Sequence, residues 1–102
     1  MNFNNKVYDL CRKIPKGKVT TYKILAEKLN TKAYRAVGQA LMNNPFSPEV
    51  PCHRVIASSG NVYGFKGKLN GKAIKEKIFI LASEGIEIKD KKIDIRKFLF
   101  RF

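Results

Sequence analysis

The 102-residue chain has no tryptophan, one histidine, two cysteines and only 8 acidic residues against 21 lysines and arginines. Two cysteines are too few for the disulfide framework of a small secreted domain, so Cys11 and Cys52 are read as free thiols, although sequence alone leaves a single bridge between them open. His53 is the one imidazole, which with two thiols is too small a set for zinc, and no metal or cofactor is expected. No apolar run approaches the roughly 20 residues that span a bilayer. The opening MNFNNKVYDL has no secretory hydrophobic stretch, so the expectation is a cytoplasmic protein, nucleoid-associated if prokaryotic, with no membrane partner.

What is present is positive charge and aromatic mass. The formal net charge is +13, 44% of residues are hydrophobic, and seven Phe and four Tyr are more apolar bulk than a solvated basic tail carries. A chain of this length holds one core and one site, without a separate cofactor domain. A surface so basic attracts phosphate and repels itself when nothing is bound, which makes nucleic acid the first partner class. A Lys-rich thermophile surface yields the same excess.

Phe3, Val7, Leu10 and Cys11 fall at helical spacing and predict a first helix that stops before Ile14-Pro15-Lys16-Gly17. A threonine N-cap then opens a helix from about Tyr22 to Leu29, with Ile24, Leu25 and Leu29 on one face. A following helix carries an apolar stripe of Ala33, Ala36, Val37, Ala40 and Leu41 and is stopped by Asn43-Asn44-Pro45. Its outward residues are Lys32, Tyr34, Arg35 and Gln39. The pair is a helix-turn-helix candidate, a pattern shared with many helical hairpins that bind nothing. From Phe46 to Gly71 a loop is expected, with one short strand at Val55-Ile56-Ala57 and a turn at Ser58-Ser59-Gly60-Asn61. Ile74, Ile78, Leu81 and Ala82 predict a last helix closed by Gly85. Residues 87–102 mix Lys, Ile and Phe without a clean period.

The sharpest chemistry lies in Pro51-Cys52-His53-Arg54-Val55. A thiolate is the reactive form of cysteine, and at neutral pH it needs a base and positive charge nearby. His53 and Arg54 supply both. On an extended chain neighbouring side chains diverge, so His53 is expected to reach the Cys52 sulfur through a bridging water, with Glu84 the candidate third group that holds the imidazole. Cys11, on the apolar face of the first helix, is assigned to the core.

Taken together, IPKGKVTTY at 14–22, RAVGQAL at 35–41, Asn44-Pro45, PCHRV at 51–55, Ser58-Ser59-Gly60 and Glu84-Gly85 resemble the active-site and DNA-binding domain of the O6-alkylguanine-DNA alkyltransferases over about Phe3 to Ile86. The resemblance implies a mostly α fold, a winged helix-turn-helix-like DNA-binding domain with a small β element and an active-site loop. It implies that residues 1–86 form the alkyltransferase domain and 87–102 a basic, hydrophobic extension of it. The implied partner is duplex DNA containing O6-alkylguanine, with O4-alkylthymine a second substrate, bound by a monomer in the minor groove through Thr20, Thr21, Lys32, Ala33, Tyr34, Arg35, Ala36 and Gln39. Lys16, Lys18 and Lys23 are further candidates for phosphate contact.

The resemblance further implies that the damaged base is flipped out, that Arg35 fills the stack, and that Cys52 takes the alkyl group irreversibly, as in a single-turnover methylated-DNA-protein-cysteine methyltransferase. By the same resemblance His53 and Glu84 relay the proton, Tyr22 donates to the guanine ring, Asn44 braces the loop, and the Cys52 and Val55 carbonyls read the exocyclic amine. By position in the family's pocket loop, Phe65 would supply an aromatic wall without a hydroxyl, and Lys66 falls where a backbone N–H would face the guanine O6. About five extra residues around Asn70-Gly71-Lys72 precede the last helix, and the N-terminal domain of many members is absent from this sequence. Alkyltransferase-like proteins, which hold the lesion without removing the alkyl group, generally carry Trp in place of the cysteine; this chain has Cys52 and no Trp. The remaining alternative is a plain winged-helix DNA binder in which Cys52 is incidental.

Overall fold

The computed structural model describes residues 2–47, 49–62 and 71–102. Helix α1, Phe3–Arg12, starts where the Asn2 side chain accepts the Asn5 N–H at 2.8 Å and buries Val7, Tyr8, Leu10 and Cys11. After the Pro15-Gly17 turn comes a two-residue strand, β1, Thr20–Thr21. Thr21 then caps α2, Tyr22–Lys28, by accepting the Ile24 N–H at 3.1 Å. Helix α3, Tyr34–Met42, packs against both α1 and α2. It completes the helix-turn-helix arrangement that the spacing predicts.

The apolar stripe of α3 is narrower than expected. Val37, Ala40 and Leu41 are buried, whereas Ala33 is an exposed cap and Ala36 is half-buried. Positions 37, 40 and 41 line the contact with the core, so Ala33 lies outside it and Ala36 sits at its edge.

Strand β2, Val55–Ile56, pairs in parallel with β1 in the register Thr20 to Val55 and Thr21 to Ile56. Helix α4, Lys72–Ser83, ends at Glu84 and Gly85. Its buried face is Ile74, Lys77 and Leu81; Ile78 is half-buried and Ala82 exposed. The spacing from 74 to 81 passes through 77, so the inward position between the two hydrophobes is a lysine.

Residues 87–102, which have no period of their own, contribute Ile93 and Phe98 to the core. Ile93 N–H donates to Gly60 O at 2.9 Å and Val62 N–H to Lys91 O at 2.8 Å, and a short helix α5, Ile95–Phe98, follows. Phe98 and Ile93 join Val19, Ile56, Val62, Leu81 and Ile86 in a second apolar cluster behind the small sheet. The larger cluster unites α1, α2, α3 and the segment from Val50 to Val55. Among the described residues no helix is long and apolar enough to cross a membrane.

Candidate active site

Cys52 opens a single 3-10 turn, Cys52–Arg54, immediately before β2. The segment is therefore not extended at Cys52-His53, because Pro51 and the return into β2 tighten it, with Arg54 N–H donating to Pro51 O at 2.9 Å. Cys52 is 7% exposed. The turn is pinned from below by the Val50 carbonyl, which accepts from Cys52 N–H at 2.8 Å and from Asn44 Nδ2 at 2.9 Å. Asn44 also accepts the Phe46 N–H at 2.9 Å. One side chain thus ties the end of α3 to both sides of the loop that carries the thiol.

His53 is buried, and its Nε2 lies 3.1 Å from Glu84 Oε2. Glu84 is gripped in turn by Arg54, whose Nε and Nη2 donate to Oε1 at 2.9 Å and Oε2 at 2.6 Å, while Nη1 donates to Ile14 O at 2.8 Å. Burial pushes the Glu84 carboxyl up, but hydrogen bonds from Arg54 and His53 outweigh it and hold the group below its ordinary value. Burial lowers the His53 imidazole, with the Glu84 contact opposing, so the ring is neutral at pH 7. A neutral imidazole beside an ionised carboxylate carries its proton on Nε2. Assigned from that contact, Nδ1 holds the lone pair and is the basic atom. Nδ1 is buried and has no hydrogen-bond partner among the described residues.

Two further groups complete the site: Lys77, which was not singled out by sequence, and Arg54, whose partner was not. Lys77 is fully buried and its Nζ donates to Val55 O at 2.8 Å. Burial lowers its pKa to about 8, with attraction to a Cys52 thiolate opposing. The signal was present in the Ile74, Lys77, Leu81 spacing, which places a lysine on the inward face. Arg54 was read only as local positive charge, and its grip on Glu84 bridges 30 positions. Cys11 is different in kind: burial pushes its thiol up to about 12, with Cys52 adding and Arg12 opposing, and it packs in the core.

Tyr22, the first residue of α2, lines an open groove of about 540 Å³ with Lys23, Tyr34, Ala57 and Ser58. Lys32, Ala33, Tyr34, Arg35 and Gln39 are exposed on the same helix pair. Thr20 and Thr21 are buried, the latter engaged as the α2 cap, so their side chains are not on that exposed surface. Phe65 and Lys66 lie outside the described residues.

The family model described as 6-O-methylguanine DNA methyltransferase, DNA binding domain, matches residues 2–86. The chain belongs to that family. Among relatives of the 6-O-methylguanine DNA methyltransferase domain, the methylated-DNA--protein-cysteine methyltransferase of Sulfolobus acidocaldarius is 46% identical over 88 residues, covering 86% of this chain and 52% of the relative. That of Candida glabrata is 36% identical over 103 residues, 97% of this chain and 50% of the relative. The chain therefore spans about half the length of these curated relatives. Among solved structures, Schizosaccharomyces pombe Atl1 in complex with damaged DNA containing O6-carboxymethylguanine superposes with a TM-score of 0.80 at 30% identity, covering 98% of this chain and 95% of Atl1.

Proposed function

We propose that this domain repairs O6-alkylguanine in duplex DNA by moving the alkyl group irreversibly onto Cys52. The observation that carries the reading is the Cys52 turn joined to a His53–Glu84–Arg54 chain, in which Arg54 keeps Glu84 ionised and Glu84 leaves His53 Nδ1 as the basic atom. The helix pair α2–α3 meets the duplex, Arg35 enters the stack, and the alkylated base turns into the groove beside Tyr22.

The proton of Cys52 passes through a bridging water to His53 Nδ1. The sulfur attacks the alkyl carbon, the S–C bond forms as the C–O6 bond breaks, and the electrons left on guanine are met by a proton from Tyr22. Lys77, hydrogen-bonded to Val55 O, lends positive charge to the thiolate side of this exchange. The thioether has no route back, so each molecule acts once.

A second reading has an observation behind it: the superposition on nearly the whole of Atl1 favours a non-enzymatic alkyltransferase-like protein that binds the lesion and leaves it intact. Intact-mass analysis after incubation with a duplex containing one O6-methylguanine, alongside a Cys52→Ala control, separates the two. A single methyl gained on Cys52 and absent from the control is the expected result. Lesion-selective binding without any mass gain overturns transfer in favour of binding alone, and loss of lesion preference leaves only a basic DNA-binding domain.

A further inference from the structure

Residues 87–102 lie beyond the segment that the family model matches, yet they are built into the frame of the groove. Val19 N–H donates to Phe98 O at 2.9 Å and Phe100 N–H to Val19 O at 2.7 Å, so the chain around Leu99 runs beside the backbone that leads into Tyr22. Phe98 and Ile93 are buried and anchor it. This fixes the place of Arg101, which lines a second depression of about 190 Å³ whose walls include Thr21, Lys23, Glu27 and Ser58. Lys23 and Ser58 also line the Tyr22 groove, so the two depressions share a rim.

The basic residues of the tail are not equivalent. Arg96 is paired with Asp94 and Lys97 with Glu87, whereas among the described residues Arg101 and Lys23 are exposed and have no ion-pair partner; Lys89, Lys91 and Lys92 are likewise exposed and unpaired but line neither depression. Glu27, the acid on this wall, sits one turn along α2 from Lys23. Two unpaired cations and Ser58 therefore line the depression that shares a rim with the Tyr22 groove, and on the repair reading a duplex feeding a base past Tyr22 would carry phosphates along this rim. A guanidinium suits such a position because its planar fork can meet two phosphate oxygens.

Resting on the repair reading above, we propose that Arg101, together with Lys23, clamps a backbone phosphate flanking the flipped nucleotide, so that the tail extends the DNA-binding face beyond α2 and α3. Arg101 touches no reacting atom. It acts on binding and leaves the transfer step alone.

The test compares the full chain with its Arg101→Ala, Arg101→Lys and Lys23→Ala variants, measuring affinity for the O6-methylguanine duplex across a salt series and the transfer rate at saturating DNA. One lost phosphate contact predicts a salt slope shallower by about one and an affinity about eightfold weaker near 0.1 M salt for Arg101→Ala. The slope is retained in Arg101→Lys, and the saturating rate and thermal midpoint are unchanged in both Arg101 variants. A duplex series with single neutral methylphosphonates around the lesion locates the contact: at one position Arg101→Ala costs no further affinity.

An unchanged slope and affinity in Arg101→Ala, with the wild-type chain binding and transferring normally, overturns the clamp. So does a lowered thermal midpoint that Arg101→Lys fails to restore, which marks a structural role. Failure of the wild-type chain itself to bind the duplex overturns the repair reading, and is distinguishable because it precedes any variant.

Discussion

Replacing Glu84 by glutamine keeps its shape and removes its charge, and two consequences can be worked separately. Arg54 holds Glu84 by two bonds, with the side chains 16% and 9% exposed. Breaking a fully buried ion pair costs about 3–5 kcal/mol. Arg54 keeps some water and its 2.8 Å bond to Ile14 O, and the introduced amide oxygen replaces one acceptor, so about 2 kcal/mol is expected here. For a domain of this size that lowers the thermal midpoint by about 10 °C. The second consequence is chemical. Arg54 is a donor only, so it captures the amide oxygen and turns the amide NH2 toward His53. Nε2 then becomes an acceptor, the ring proton moves to Nδ1, and the basic atom of the relay is lost. The transfer rate, read by quenched-flow intact mass well below the midpoint, is expected to fall by about 100-fold or more. A Glu84→Gln variant that loses stability but transfers within about threefold of wild type would refute the tautomer argument and reduce Glu84 to an anchor for Arg54.

Lys77 carries a pH signature. Its pKa falls from 10.5 to about 8 on folding, so between those limits the unfolded chain binds more protons and stability rises with pH, by about 3 kcal/mol across the window. Lys77→Met is expected to abolish that rise, and at neutral pH the loss of about 1–3 kcal/mol at the orphaned Val55 carbonyl is offset by relief of the buried charge, leaving the variant level with wild type or up to about 2 kcal/mol more stable; identical pH slopes in urea titrations of the two proteins would contradict it. At Gly60, φ is +90° and an added Cβ would meet Ile93 O at 2.5 Å, a backbone atom that cannot swing aside. Gly60→Ala is expected to cost about 2–4 kcal/mol in chemical denaturation, and a loss below about 1 kcal/mol would show that the tail yields there.

Helix positions were legible in the sequence wherever one local signal decided them: Thr21 before α2, Asn43-Asn44-Pro45 after α3, Gly85 after α4. The reactive turn was legible in residue types and misread in shape, because Cys52-His53-Arg54 is bent by contacts with Val50 and Asn44 that no local propensity reports. Lys77 was hidden by its own chemistry, since a lysine on an amphipathic pattern reads as solvent-facing until its neighbours at 74 and 81 are seen to turn inward. The tail escaped for a different reason. Ile93 and Phe98 are held by backbone bonds to Gly60 and Val19, long-range pairings that leave no period in a short segment.

The small parallel sheet sets an order of assembly. Thr20 meets Val55 across 35 positions, and Val19 is flanked by Phe98 and Phe100 nearly eighty positions downstream. Short-range helices can flicker into being early, but the backbone that shapes the thiol turn waits for both closures, each opposed by chain entropy until the strands meet. A nascent or partly unfolded chain therefore lacks the Cys52–Arg54 turn and the His53–Glu84 contact beside it. On the repair reading, transfer to Cys52 is a property of the finished topology.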